Sequence, residues 1–564
     1  MTKTAFSFLA IIIVVTLACL PLILYGPQTG HSLYVNLPWS HYFAQEVIQG
    51  VFYPRWLMGM NQGAGSPVFF FYAPVPFYFS TLSAALFANQ SETVQLGIGQ
   101  YLIVLASALG FFLFLRRYAH QAIAVFAAIA YALAPYHFGM DLLTRQAMGE
   151  AAAFIWIPLV FLAVDRLSVP GKGLILLALS YALLVMTHLP SALLCSPFFL
   201  LYCLLRCGFA TNWIILVRFA LGILVGLLVA GCYLVPALGT QDYTYTDHLW
   251  EPYFDMHRWF FFDGLPSPNP EVETQVFAVA SVGSLFFILS WSMAFLYSER
   301  AQKPLLFGLL IIFTGAWFLM TPLSLWLWQL LPFLQKVQFP WRVMVIQEFA
   351  VVTSLGLALS VALRSGRRWA LATAAALAVA FSAWVATIAF QDYQPHIELM
   401  GDEANVRSLR GQAVGGNDAK EYLPLTVKAD RRKFLEQMST LEPMVFDQGR
   451  GHIDIVRWQN RAITLDIRMR SATPVAVKQL LYPGWEVTLN GEPLAIEPTA
   501  RYGLIRFQAP AGVYRVEMKL RTLPEERIGW VVSGVGLTLL LLLPFGRILQ
   551  NKGRREANIA QTIV

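Results

Sequence analysis

Apolar runs long enough to cross a bilayer recur along this chain, and no other feature limits its fold as tightly. A helical run of roughly 20 apolar residues spans the hydrocarbon core, where every backbone N–H and C=O must find its partner within the protein. Such runs lie at 5–25, 94–115, 121–136, 151–165, 172–187, 189–205, 212–237, 275–297, 304–320, 343–363, 369–390 and 528–548. They predict a polytopic α-helical membrane protein of about 12 transmembrane helices. The first run lacks a small-residue cleavage site, so it reads as a retained span rather than a signal peptide. The apolar stretch 67–87 is broken by Pro67, Pro74 and Pro76 and reads as interfacial.

Charge sets the orientation. With 67–87 outside the bilayer core, Arg116, Arg117, Arg166, Lys172, Arg206, Arg300 and Lys303 share one side with Arg364, Arg367, Arg368 and the tail residues Arg547, Lys552, Arg554 and Arg555. That pattern predicts a multi-pass protein of the inner (plasma) membrane with both termini cytoplasmic. The periplasmic or extracytoplasmic side then receives 26–93, 136–150, 239–274, 321–342 and 391–526. Trp250, Tyr253, Trp259, Trp326, Trp328 and Trp341 fall there and read as headgroup-level anchors.

The expected organisation is a transmembrane helical domain over 1–390, with interfacial helices in its first outer loop (26–93). A β-rich outer domain over 391–526 follows, then the last span and a basic cytoplasmic tail over 527–564. Strand alternation appears from His452, Ile463, Trp485, Gly503 and Tyr514, and Asn490-Gly491 is a hairpin turn signal, so a β-sandwich or jelly roll is predicted before the last span.

Composition supports this reading: 57% of residues are hydrophobic and 13% charged, which excludes an ordinary soluble protein. The net charge of +7 comes from clusters between spans, so topology explains it and no nucleic-acid partner is implied. The five cysteines, Cys19, Cys195, Cys203, Cys207 and Cys232, all sit in apolar runs, where a thiol acts as a small hydrophobe.

Candidate chemistry gathers on the outer side. The first loop carries His31, His41, Glu46 and Arg55 among aromatic residues, which suits either an amphipathic interfacial helix or a set holding a phosphate and moving a proton. Asp141 and Arg145, four apart, suit a helical surface pair, whereas Glu150 abuts the apolar run of the fourth span and needs a partner there. His188 closes the fifth span before Pro190, as a helix-end cap or a ligand contact. Arg342 lies at the outer edge of the tenth span, anchoring to headgroups or binding a lipid phosphate, and Glu348 further in is a cavity-facing candidate. Asp242, Asp247, Glu251, Asp255 and Asp263, with His248 and His257, match no tight metal-ligand spacing and read as solvated loop residues.

Several short motifs then occur in a telling order: Gly30-His31, YPRW from Tyr53, NQGAGSPVFFFY from Asn61, Arg145 with Glu150, His188, QFPWR from Gln338, EYLP from Glu421 and YPGW from Tyr482. In this order they resemble the 6-pyruvoyl-tetrahydropterin synthase-related integral membrane proteins, which are glycosyltransferase C-like. The resemblance implies an enzyme taking a sugar from a polyprenyl-phosphate donor to a glycan, lipid or protein acceptor at the outer face, among membrane lipids. The family's loop typically reads Gly-His-Asp; this chain has Ser32 at the aspartate position and Asn36 where a second histidine is common.

On that implication the base is Glu46 or Glu150 with His31 assisting. Arg55, Arg145, Arg342 and His188 are expected at the donor phosphate, where a guanidinium fork matches two oxygens. A divalent metal ion is a candidate cofactor. A transporter or flippase of lipid-linked glycans, or a non-catalytic assembly factor, is the rival reading. The site proposal requires His31, Glu46, Arg145, Glu150, His188 and Arg342 to line one cavity.

Overall fold

The computed structural model describes residues 3–542 apart from 169–171, 208–212, 247, 249 and 250. Asp247, Trp250, the side chains of Lys3, Lys172 and Cys207, and the basic tail with Arg547, Lys552, Arg554 and Arg555 lie outside the described residues.

Among the described residues, 7 helices are long and apolar enough to cross a membrane, and two bent pairs raise the number to 9. One pair is Trp213–Val229 with Gly231–Gly239, bent by 67°, and the other Lys303–Leu319 with Pro322–Leu330, bent by 90°. The predicted dozen is therefore larger than the helices of spanning length, because hydropathy counts apolar residues and ignores what breaks a helix. The first run, 5–25, divides at Cys19 into Lys3–Ala18 and Leu20–Tyr25, with Pro21 in the opening turn of the second. Lys172–Thr187 has 16 residues, and residues 543–548 of the last run are not described. The stretch 67–87 forms Val68–Phe71 and Val75–Leu86, and neither reaches ~30 Å at 1.5 Å per residue.

A second difference lies at 136–150, expected as an outer connection. Gln121–Ala132 resumes after Leu133 as a π-helix, Pro135–Thr144, in which Tyr136 through Leu143 are all buried. Its first N–H groups would lack partners. Glu348 supplies them from Met344–Ser365, accepting from Tyr136 N at 3.0 Å and His137 N at 2.9 Å. The acid expected to face a cavity lines a small pocket with Gln347 and Trp384 and also caps this helix.

The carboxy-terminal part carries nine strands. β1 (Met444–Val445), β4 (Thr473–Leu480), β8 (Leu504–Ala509) and β7 (Glu497–Pro498) form one antiparallel sheet in that order. β2 (Gly451–Gln459), β3 (Ala462–Met469), β9 (Gly512–Leu520), β5 (Trp485–Leu489) and β6 (Glu492–Leu494) form the other. Alternate residues of both sheets, such as Val475, Val477 and Phe507 against Leu465, Ile467 and Val516, enter one shared core. Asn490 (φ 49°) and Gly491 (φ 94°) turn the β5–β6 hairpin as their sequence predicts. The stretch before Met444 is helical: Arg368–Leu399 runs past 391, and Glu403–Gly415 and Arg431–Thr440 follow, capped by Asp402 and Asp430.

This sandwich is not a loose appendage. Trp56, Met58, Ala64 and Phe70 of the first loop belong to its core. Gln479 of β4 accepts from Trp56 Nε1 (3.0 Å) and donates to Gly63 O (2.7 Å). Asp418 accepts from Trp39 Nε1 at 2.9 Å and Asn61 Nδ2 at 2.8 Å, with Asn61 held at φ 53°. Glu526 receives Arg461 through two hydrogen bonds (3.1 and 3.0 Å) and Arg55 at 3.0 Å. Three buried polar knots therefore fasten the β domain to the first loop.

Candidate functional site

Glu150 opens the helix Met148–Arg166, and its carboxylate is the centre of a buried charged cluster. Tyr136 donates to Oε1 at 2.5 Å, while Arg145 Nη1 (3.1 Å) and Arg342 Nε (3.2 Å) approach Oε2. Arg145 also pairs with Asp141, so the four-residue spacing makes contact here within a π-helical wall rather than on a helix surface. The Trp341 ring lies 4.5 Å from the Arg145 guanidinium. Two acids and two guanidiniums leave the cluster formally neutral, yet its hydrogen bonding is incomplete. Among the described residues Trp341 Nε1 and Asp141 Oδ2 are buried without a hydrogen-bond partner, and Arg342 Nε meets Glu150 as an ion pair only. Unmet donors in a buried site are costly unless something accepts from them.

The start of the first loop docks onto this cluster. His31 N donates to Thr144 O at 3.2 Å and Ser32 N to Arg145 O at 2.9 Å, and Asn36 Nδ2 grips Gln146 O at 2.5 Å. Gln146 sits at φ 56°, and the grip holds that turn. Partial desolvation, followed by the nearby Arg145 charge, lowers the pKa of the surface-exposed His31, with Glu271 opposing. His188 follows Lys172–Thr187 and bonds Ser191 Oγ through Nδ1 at 2.7 Å, with its ring beside Gly149. His31, Arg145, Glu150, His188 and Arg342 are accordingly brought together.

Glu46 and Arg55 are not. Both lie under the β domain, so the expectation of one cavity containing Glu46 does not hold. Arg55 is buried at 1% exposure with Glu526, donates to Cys232 O at 2.5 Å and lies 4.0 Å over the Tyr53 ring, so its guanidinium is engaged at the β-domain junction with only Nη1 left without a hydrogen-bond partner. Glu46 is buried at the end of Leu33–Ile48 with Oε2 unpartnered, and burial pushes its carboxyl up to about 7, offset only in part by Asn460 and the Met58 backbone. The family-like motifs thus divide in space. YPRW, NQGAGS, EYLP and YPGW meet at the β-domain junction, whereas Gly30-His31, Arg145, Glu150, His188 and QFPWR meet at the charged cluster.

Other expectations change as well. Trp259, Trp328 and Trp341 are buried, their rings packed against Phe260, Phe339 and one another, whereas Trp326 is exposed. Glu251 pairs with Lys420 (2.8 Å) and His248 (2.7 Å). Among the described residues no three His, Cys, Asp or Glu side chains gather in a set able to hold a metal ion, so a protein-only divalent site does not fit these residues.

Sequence reasoning passed over a cavity of about 870 Å³ beside His31, between Pro270–Tyr297 and Arg368–Leu399. Its carboxylates are Glu271 and Asp392. Asp392 lies just past the apolar run 369–390, in the polar end of its helix with Gln391, Gln394 and Glu398, so its neighbours do not single it out.

The family described as 6-pyruvoyl-tetrahydropterin synthase related domain, membrane protein, matches residues 69–393, more than half of the chain. No curated protein matches. Among solved structures, the archaeal oligosaccharyltransferase AglB from Archaeoglobus fulgidus, in complex with an inhibitory peptide and a dolichol-phosphate, aligns at 14% identity and a TM-score of 0.38. The alignment covers 78% of this chain and 60% of that one, so the chain spans less than two thirds of that enzyme. A likeness that weak carries neither fold nor function across.

Proposed function

The chain belongs to the 6-pyruvoyl-tetrahydropterin synthase-related family of membrane proteins, and on that premise we propose that it is a membrane glycosyltransferase using a polyprenyl-phosphate sugar at the periplasmic face. The observation that carries this reading is the pair Arg145 and Arg342 converging on Glu150 beside a buried N–H donor, Trp341 Nε1, that has no hydrogen-bond partner among the described residues. An arriving phosphate gives that donor an acceptor and meets two cations that stay charged at any working pH. As the sugar C1 parts from the phosphate oxygen, negative charge grows on that oxygen, where fixed donors in a dry site stabilise it most. Glu150 and Asp141 hold the guanidiniums in place rather than act as free bases, because Glu150 Oε2 is shared by both arginines. Positive charge on the opposite end of the bundle supports placing the β domain outside the cell.

The test is reconstitution of the purified protein with a panel of radiolabelled polyprenyl-phosphate sugars and outer-leaflet acceptors. Arg342→Gln is expected to lower donor use by about 10²–10³-fold, the usual cost of one oxyanion donor. Trp341→Phe keeps an aromatic ring beside Arg145 and removes the N–H together with the pyrrole half of the indole, so a smaller loss is expected. Movement of intact lipid-linked glycan without cleavage of any donor overturns the reading in favour of a flippase.

A further inference from the structure

The cavity between Pro270–Tyr297 and Arg368–Leu399 is divided by chemistry. Near the helix ends it is lined by His31, Glu271, Gln275, Gln391 and Asp392, and further along the helices by Val279, Val282, Trp384 and Ile388. Among the described residues no lysine or arginine lines it. His396 on its wall is already committed, with Nδ1 accepting from Gln28 N (3.0 Å) and Nε2 facing Leu143 O at 3.1 Å. An anionic head would meet two carboxylates and no cation, whereas hydroxyls find acceptors and amides on every side. The volume lies within the ~300–1,000 Å³ usual for small-molecule sites.

Asp392 is the sheltered acid of the two, for Glu271 is exposed. A Cβ at Gly139 would collide with Asp392 Oδ2, so the π-helix keeps a glycine where this carboxylate needs room. Thr144, within hydrogen-bond reach of Asp392, accepts from His31 N and immediately precedes Arg145. One residue therefore connects the cavity to the arginine cluster.

We propose that this cavity seats the acceptor, a lipid-anchored molecule with an uncharged, hydroxyl-rich head, and that Asp392 is the base that the first loop lacks at Ser32. The inference rests on the glycosyltransferase reading. In the step, the acceptor oxygen bonds to the sugar C1 and its proton passes to the Asp392 carboxylate. The bond from C1 to the phosphate oxygen breaks, and its electron pair leaves with the phosphate held by Arg145 and Arg342. The lipid chains of the acceptor lie along Val279, Val282, Trp384 and Ile388.

The full-length protein carrying Thr274→Cys, in liposomes, gives the test, since Thr274 is exposed and lines the cavity. Maleimide labelling above the wild-type level is followed with glucosyl-dioleoylglycerol or dioleoylphosphatidylglycerol in the bilayer. At a tenfold excess over Kd the glycolipid is expected to slow labelling about tenfold, and the phospholipid far less. Equal protection by both, or by neither, overturns the seat. Asp392→Asn is expected to retain protection and to lose about 10²–10⁴-fold in transfer to the glycolipid, with partial recovery in Asp392→Glu. Unchanged transfer in Asp392→Asn overturns the base assignment. Donor consumed by wild type without protection sinks this inference alone; protection without consumption of any donor supports the seat and sinks both the base and the glycosyltransferase reading.

Discussion

Glu150→Ala separates the two roles an acid at this position could have. Its side chain is 1% exposed, accepts from Tyr136 at 2.5 Å and Arg145 at 3.1 Å, and is ion-paired with Arg342 at 3.2 Å. Removing one partner of a buried pair costs about 3–5 kcal/mol, because the remaining charge stays buried without compensation. Arg145 keeps Asp141, so the damage falls on Arg342 and Tyr136, and the lower end, about 3 kcal/mol, is expected. Unfolding by SDS titration in mixed micelles reads this loss. Adding undecaprenyl phosphate should restore more stability to the variant than to wild type, up to about 2.7 kcal/mol at a hundredfold excess over Kd, since the phosphate replaces the missing anion. A variant within about 0.5 kcal/mol of wild type, or one with an unaltered response to the phosphate, refutes the ionic account. A base outside the ion-pair cluster would show the opposite pattern, lost turnover with little change in stability or phosphate binding.

Three further outcomes follow from the same physical rules. Glu526→Ala strands Arg55 and is expected to cost about 3–5 kcal/mol and expose the β-domain junction to protease, while Arg55→Met with Glu526→Met recovers most of it; a protease-resistant single variant contradicts the clamp. Glu46 has a folded pKa raised to about 7, so its neutral form is favoured, stability is full below about pH 4.5, and up to about 3 kcal/mol is lost as pH rises to 7 and beyond. Glu46→Gln should flatten thermal stability across that window, and an identical pH profile in both proteins rules the assignment out. Glu348→Ala leaves the Tyr136 and His137 amides uncapped, at about 1–3 kcal/mol for each buried group, and hydrogen exchange at those two amides should accelerate; unchanged exchange would mean that the cap is dispensable.

The sequence by itself determined that the chain is built on membrane helices, because hydropathy and length are local properties summed over about 20 residues. It also determined the hairpin at Asn490-Gly491 and the alternation in β2, β3, β5, β8 and β9, since strand period and turn chemistry are written in neighbouring residues. Helix termini and bends were less legible: Pro21 splits one run, and the π-helix at Pro135–Thr144 depends on Glu348, more than 200 positions away. The fate of the charged residues was decided by tertiary structure alone. Arg55, Arg145 and Arg342 look alike in the sequence, yet Arg55 fastens the β domain while the other two share Glu150. A charge acquires its role from the partner that compensates its burial, and here those partners lie on other helices. The same holds for Asp392, whose surroundings come from the π-helix, the first loop and Pro270–Tyr297 and so could not be read from its own neighbours.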